Sequence, residues 1–155
     1  MKRLCGFIIF FVWIIISIQA KETTLVIYST NDMHGSINNF AKIAKFIENE
    51  RKKYPHILLL NGGDIFSGNP VVDQYPQRGK PMIELMNAVG YQYATFGNHE
   101  FDFGQQALKQ CMNQADFEWI CANMEVDPST AVIKQPQPYV TLKMGDIKIC
   151  ILGLI

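Results

Sequence analysis

Three short polar clusters hold the residues of this chain best suited to chemistry: Asn31-Asp32-Met33-His34-Gly35, Gly62-Gly63-Asp64 and Gly97-Asn98-His99-Glu100. Asp32 and His34 stand two apart, so an extended segment would place carboxylate and imidazole on one side, where both can grip a single cation. Asp64 follows two glycines, which let the backbone turn tightly and present its carboxylate. Asn98 offers a neutral carbonyl oxygen, and His99 is either a ligand or an acid. Oxygen and imidazole donors without thiolates suit zinc, manganese, iron or magnesium. An Asp-x-His or a Gly-Gly-Asp by itself is an ordinary loop sequence. Three such clusters after three successive strands are not ordinary.

The elements that would position these clusters alternate β-branched runs with segments of helical period. This is the pattern of βαβ units in an α/β fold with a parallel or mixed sheet. Residues 25–29 and 57–61 read as the first two strands. Between them Phe40, Ile43, Ala44, Phe46 and Ile47 recur at helical spacing, with Lys42, Lys45, Glu48 and Glu50 on other faces and Pro55 ending the helix. A second helix follows Pro81, runs through Ile83, Leu85, Met86 and Val89, and stops at Gly90. Residues 93–96 read as a third strand, 105–114 as a third helix and 119–123 as a fourth strand. Residues 139–143 and 147–152 read as a hairpin turning at Met144-Gly145-Asp146. In open α/β sheets the carboxyl ends of the strands form the ligand crevice, so all three clusters are expected to face one pocket. His56 begins the second strand, about 16 Å from that end at roughly 3.3 Å per residue, and stays out of the site.

The motifs NDMHG, NGGD and GNHEFDFG resemble those of the calcineurin-like metallophosphoesterases, and within them the secreted 5'-nucleotidase and 2',3'-cyclic-nucleotide phosphodiesterase family. The likeness runs from Leu25 to Leu154 and takes in RGKPMIELMNAVGYQYATFGNHEFDFG, ICANM and QPYVTLKMGDIKICILGLI. It implies a four-layer α/β/β/α domain and two divalent metal ions. Asp32 and His34 would bind one ion, Asp64 would bridge both, and Asn98 would bind the second. His99 and Asp102 would form a catalytic dyad, the histidine stabilising the transition state and the aspartate orienting it. Asn123 would lie near the substrate. The implied reaction is hydrolysis of a phosphate ester, most of all a nucleotide, which would place the protein in nucleotide catabolism. In such a site two cations about 3.5–4 Å apart acidify a bridging water in line with phosphorus, and a protonated His99 offsets charge on the phosphoryl oxygens.

The family's Gly-His and Gly-His-x-His motifs, which supply three more histidine ligands, do not occur in the 155 residues. Four of the seven implied ligands are therefore present. Residues 21–155 are expected to be the N-terminal part of the domain, truncated and without a C-terminal nucleotide-binding domain. Two readings follow: an enzyme completed by a separate C-terminal domain or chain, or a catalytically impaired, partner-binding derivative.

Lys2 and Arg3 precede an almost unbroken apolar stretch from Leu4 to Ile18, followed by Gln19 and the small Ala20. Residues 1–20 thus have the form of a secretory signal peptide, and the protein is expected to be exported, periplasmic or secreted. The alternative is an uncleaved anchor through residues 4–18, shorter than the roughly 20 residues a spanning helix needs. Only in that case is membrane attachment expected. Residues 21–155 keep 12 basic against 14 acidic side chains, a charge of −2, which excludes a grip on a nucleic-acid polymer through bulk positive charge. Cys111, Cys121 and Cys150 remain. They allow one disulfide plus a free thiol, show no metal-ligand spacing, and read more readily as plain core residues.

Overall fold

The computed structural model describes residues 22–155; the expected signal segment, residues 1–20, lies outside the described residues. Two short apolar runs open the fold. Val26–Thr30 (β1) and Ile57–Asn61 (β2) pair in parallel, with Val26 opposite Ile57 and Thr30 opposite Asn61. All of β2 except Leu60 is buried, as a central parallel strand covered on both faces must be. Tyr93–Ala94 (β3) and Glu118–Trp119 (β4) complete a parallel sheet in the order β1-β2-β3-β4.

Parallel neighbours need crossovers. Here they are Phe40–Lys53 (α1), Lys80–Val89 (α3) and Gly104–Gln114 (α4), with the short Pro70–Asp73 (α2) ahead of α3. Phe40 and Ile47 of α1, Met82, Ile83, Met86 and Val89 of α3, and Leu108 and Cys111 of α4 join Leu59, Ala94 and Trp119 in one core. Helix ends follow the local chemistry. Tyr54, which precedes Pro55, is extended (φ −121°, ψ 123°) and stops α1. Gly90 takes the left-handed conformation (φ 82°) that closes α3. Arg51, in the last turn of α1, donates to the carbonyls of Val89 and Gly90 at 2.9 Å each and satisfies the end of α3.

Several expectations shift. The first strand begins one residue later than its apolar run. β3 and β4 contract to two residues each: beyond β3 the Thr95 N–H still donates to Asn61 O (3.0 Å) of β2, whereas beyond β4 the chain bonds elsewhere. After β4, the Cys121 N–H donates to Gln137 and the Ala122 N–H to Gly153, so residues 121–123 leave the sheet. Glu50, expected on an outer face of α1, is buried, where it accepts from the Tyr28 hydroxyl (2.6 Å) and Lys53 Nζ (2.7 Å). Phe46, expected inward, is half exposed and meets the Tyr28 ring edge-on at 5.1 Å. Both changes occur where Tyr28 rises from the outermost strand, β1, and draws the helix to it.

Tyr139–Met144 (β5) and Ile147–Leu152 (β6) form an antiparallel hairpin, with Met144 opposite Ile147 and Gly145 turning at φ 58°. The hairpin lies against the sheet face away from the helices. A cavity of about 180 Å³ there is lined by Ser29, Leu60, Tyr93 and Ile120 on one side and by Ile151 and Gly153 on the other. Helices, parallel sheet and second sheet thus form three successive layers of the expected α/β/β/α arrangement. A Cβ on Gly145 would stand 2.9 Å from His56 Nε2, which places His56 at the hairpin turn, at the amino end of β2. The three cysteines among the described residues are free thiols; Cys111 and Cys121 are buried, but Cys150 faces outward from β6. The core reading fails for Cys150 because β6 alternates, and Lys148, Cys150 and Leu152 share its exposed side. Among the described residues no helix is long and apolar enough to cross a membrane.

Candidate metal centre and active site

The carboxyl ends of β1, β2 and β3 release the three polar clusters side by side. The first two run together as a backbone ladder: Asp32 N donates to Gly63 O (3.1 Å), His34 N to Asp64 O (3.1 Å) and Gly35 N to Ile65 O (3.0 Å). Glu100 locks the third cluster to the second. It is 1% exposed, and its carboxylate accepts from Asp64 N (2.9 Å), Ile65 N (2.7 Å) and Gly97 N (2.5 Å). Burial pushes this carboxyl up while the three N–H donors pull it back, and the net direction is up.

Within that frame the ligand atoms of Asp32, His34 and Asp64 all lie within 4.8 Å of one another, with His34 Nε2 3.9 Å from Asp32 Oδ1. Two carboxylates and an imidazole on partly exposed side chains fit a divalent cation of the zinc, manganese, iron or magnesium group. His34 Nδ1 lies 3.3 Å from the Ser67 carbonyl, an acceptor that holds the proton on Nδ1 and leaves Nε2 for the cluster.

The Asp-x-His segment is not extended, as its spacing suggested. Asp32 (φ 50°) and His34 (φ 44°) are both left-handed, as are Asp64 (φ 52°) and Ser67 (φ 54°). These four are the non-glycine residues of positive φ among the described residues, and all sit at this one surface. Each such conformation costs about 1–2 kcal/mol and persists only where its surroundings over-determine it. The ladder and the Glu100 clamp do so here. Two glycines allow the close approach: a Cβ on Gly63 (φ 99°) would lie 2.6 Å from Gly97 N, and one on Gly97 would overlap the Asp64 carboxylate.

The turn Asn98–Phe101 carries the third cluster. Its His99 N–H donates to Asp64 Oδ1 at 3.0 Å, so the dyad and the metal ligands share one carboxylate. His99 Nδ1 is 2.7 Å from Asp102 Oδ2, and the His99 ring meets His34 edge-on at 4.6 Å. The bond to Asp102 raises the His99 pKa. The Ser67 hydroxyl, and then His99, hold the Asp102 carboxyl low. Asn98 is exposed at the start of this turn. Asn123 stands apart on the segment after β4, where its amide donates to the Ile155 carbonyl and accepts from the Ile155 N–H, both at 3.0 Å.

The structure therefore gathers Asp32, His34, Asp64, His99 and Asp102, places Asn98 beside them, and pairs Asn123 with the backbone. Sequence reasoning missed Glu100 as a clamp and Ser67 altogether. Glu100 left a signal, a glycine at a strand end followed three residues later by glutamate, the capping pattern in which a carboxylate reaches back to an N–H. Ser67 left none, since its partners lie 32 and 35 residues away.

A profile of the calcineurin-like phosphoesterase family matches residues 25–152. The chain belongs to this family. Among relatives of this calcineurin-like phosphoesterase, the bovine 5'-nucleotidase is 29% identical over 154 residues, which cover 86% of the chain and 26% of that protein. The 2',3'-cyclic-nucleotide 2'-phosphodiesterase/3'-nucleotidase of Haemophilus influenzae is 28% identical over 123 residues, 67% of the chain and 19% of that protein. The solved structure of Haemophilus influenzae NAD nucleotidase superposes with a TM-score of 0.75 at 28% identity, covering 84% of this chain and 26% of that one. The chain thus spans about a quarter or less of the length of these relatives.

Proposed function

We propose that this chain is the metal-binding core of an exported phosphate-ester hydrolase that acts on nucleotides or cyclic nucleotides with two divalent ions. The observation that carries the reading is the Asp32–His34–Asp64 group set against the His99–Asp102 pair. In this proposal Asp32 and His34 hold one ion, Asp64 holds both, and Asn98 serves the second. Divalent ions held there would supply Lewis acidity toward a phosphate ester's oxygens and toward water. His99, its pKa raised by Asp102, offers a proton to charge developing on the phosphoryl group. Asp102 stays ionised and orients the ring. Glu100 and the glycine contacts keep Asp64 from moving as charge builds. Asn123 would support the substrate's vicinity through the segment that its amide ties to the Ile155 backbone. The nucleotide preference draws on the names of the relatives, a 5'-nucleotidase and a cyclic-nucleotide phosphodiesterase. Export rests on residues 1–20, and a separate C-terminal domain or chain would bring the three further histidine ligands.

The test uses residues 21–155, alone and joined to a segment carrying the Gly-His and Gly-His-x-His motifs, stripped with chelator and resupplied with manganese or zinc. Calorimetry reads metal uptake, and phosphate release is read from AMP and a chromogenic phosphodiester. The expected result is metal-dependent release that Asp64→Asn lowers at least about a hundredfold, together with weaker metal uptake, because one carboxylate serves both ions. No release from either protein, or wild-type release from Asp64→Asn, overturns the proposal.

A further inference from the structure

We propose that Ser67 is the positioning residue that couples the metal-ligand loop to the His99–Asp102 pair, an inference that rests on the phosphoesterase reading above. Its hydroxyl donates to Asp102 Oδ2 at 2.6 Å and stands 3.1 Å from His99 Nδ1, which itself reaches the same Oδ2 at 2.7 Å. One O–H and one ring N–H therefore converge on a single carboxylate oxygen. With two donors on it, the carboxylate loses its freedom to rotate away, and the ring that depends on it is held in place. From the same residue the main-chain carbonyl faces His34 Nδ1 at 3.3 Å, turning Nε2 toward Asp32 and Asp64.

The backbone is built to present Ser67 in both directions. Its φ of 54° is left-handed, and Gly68 follows at φ 119°, where a Cβ would stand 3.0 Å from the His34 carbonyl oxygen. A strained non-glycine residue of this kind marks a place where the surroundings fix the geometry. Ser67 lies three residues after Asp64, so the loop that delivers the shared carboxylate also delivers the hydroxyl that steadies the dyad.

The two arms separate experimentally, because alanine removes the hydroxyl and keeps the carbonyl. Alanine also keeps the Cβ, so the left-handed backbone is no worse off and the fold is retained. In the metal-loaded protein, Ser67→Ala is expected to lower kcat about tenfold, the scale of a lost orienting partner. KM and manganese affinity by calorimetry stay unchanged. In an Asp102→Asn background Ser67→Ala adds nothing further, since both act through one pair. In the metal-free protein, nitrogen–proton NMR correlations of the His99 ring shift in Ser67→Ala while those of His34 hold. Wild-type kcat in Ser67→Ala, a full additional loss on top of Asp102→Asn, weakened metal binding, or unmoved His99 ring signals each overturn the proposal. If the wild-type protein releases no phosphate, the phosphoesterase reading fails, and the His99 ring signals still decide the role of Ser67.

Discussion

Gly97 has no side chain, and Asp64 occupies the space that one would need. A Cβ at position 97 would lie 2.6 Å from Asp64 Cγ and closer still to its Oδ1. Alanine there must push the carboxylate off the Asp32–His34 group or break the Glu100 clamp. Gly97→Ala is therefore expected to destabilise the fold by about 1–3 kcal/mol and to weaken manganese binding at least about tenfold. Thermal melts and calorimetry check the two effects, and unchanged metal affinity would refute the packing argument. At this scale the ligand types were legible, because Asp-x-His, Gly-Gly-Asp and His-x-x-Asp are short-range patterns. Their backbone was not. Left-handed conformations at Asp32, His34, Asp64 and Ser67 are imposed by the ladder between two loops some thirty residues apart, and no local preference announces them.

Between elements, the contact of β1 with α1 makes a pH prediction. Tyr28 donates to Glu50, and that bond first, then burial, raises the phenol from 10.0 to about 12. A folded-state pKa above the unfolded one means that the stabilisation is complete below about pH 10 and fades as pH rises through about 12. Glu50→Gln is expected to return the Tyr28 titration toward 10, followed by phenolate absorbance; an unmoved titration would rule out the Glu50 bond as its cause. The helices and β2 were readable because proline, glycine and hydrophobic period punctuate them. The four-residue α2 was not, because its cap, the Asn69 side chain accepting from Val71 N, is a detail of one turn. β4 came out shorter than its apolar run because the backbone donors beyond it turn to the loop before the hairpin and to the segment after β6.

Across the whole molecule, the layering decides which thiols react. Cys111 lies in the helix-side core, where burial pushes its thiol up to about 12. Cys121 is buried as well, and Cys150 stands on the outer side of the hairpin. Iodoacetamide at mildly alkaline pH should add one group to native residues 21–155, at Cys150, and three to the same residues under denaturing conditions, since the thiolate and access to it govern the reaction. Native labelling of Cys111 by peptide mass analysis would contradict the described packing. The same layering explains why counting the three cysteines of residues 21–155 could not separate core from surface: β6 alternates its sides, and the hairpin's position on the sheet sets which side faces out.

By itself the sequence determined the α/β class, the strand-end placement of the three clusters and the candidate ligands, because each rests on residues within a few positions of one another. Only the tertiary structure decided what holds those ligands. The reach of Glu100 to the Asp64 backbone and of Ser67 to Asp102 each spans about 35 residues, and the room Gly97 leaves for Asp64 joins two separate loops. Such contacts are set by how parallel strands bring their carboxyl ends together, and a linear chain carries no local trace of that distance.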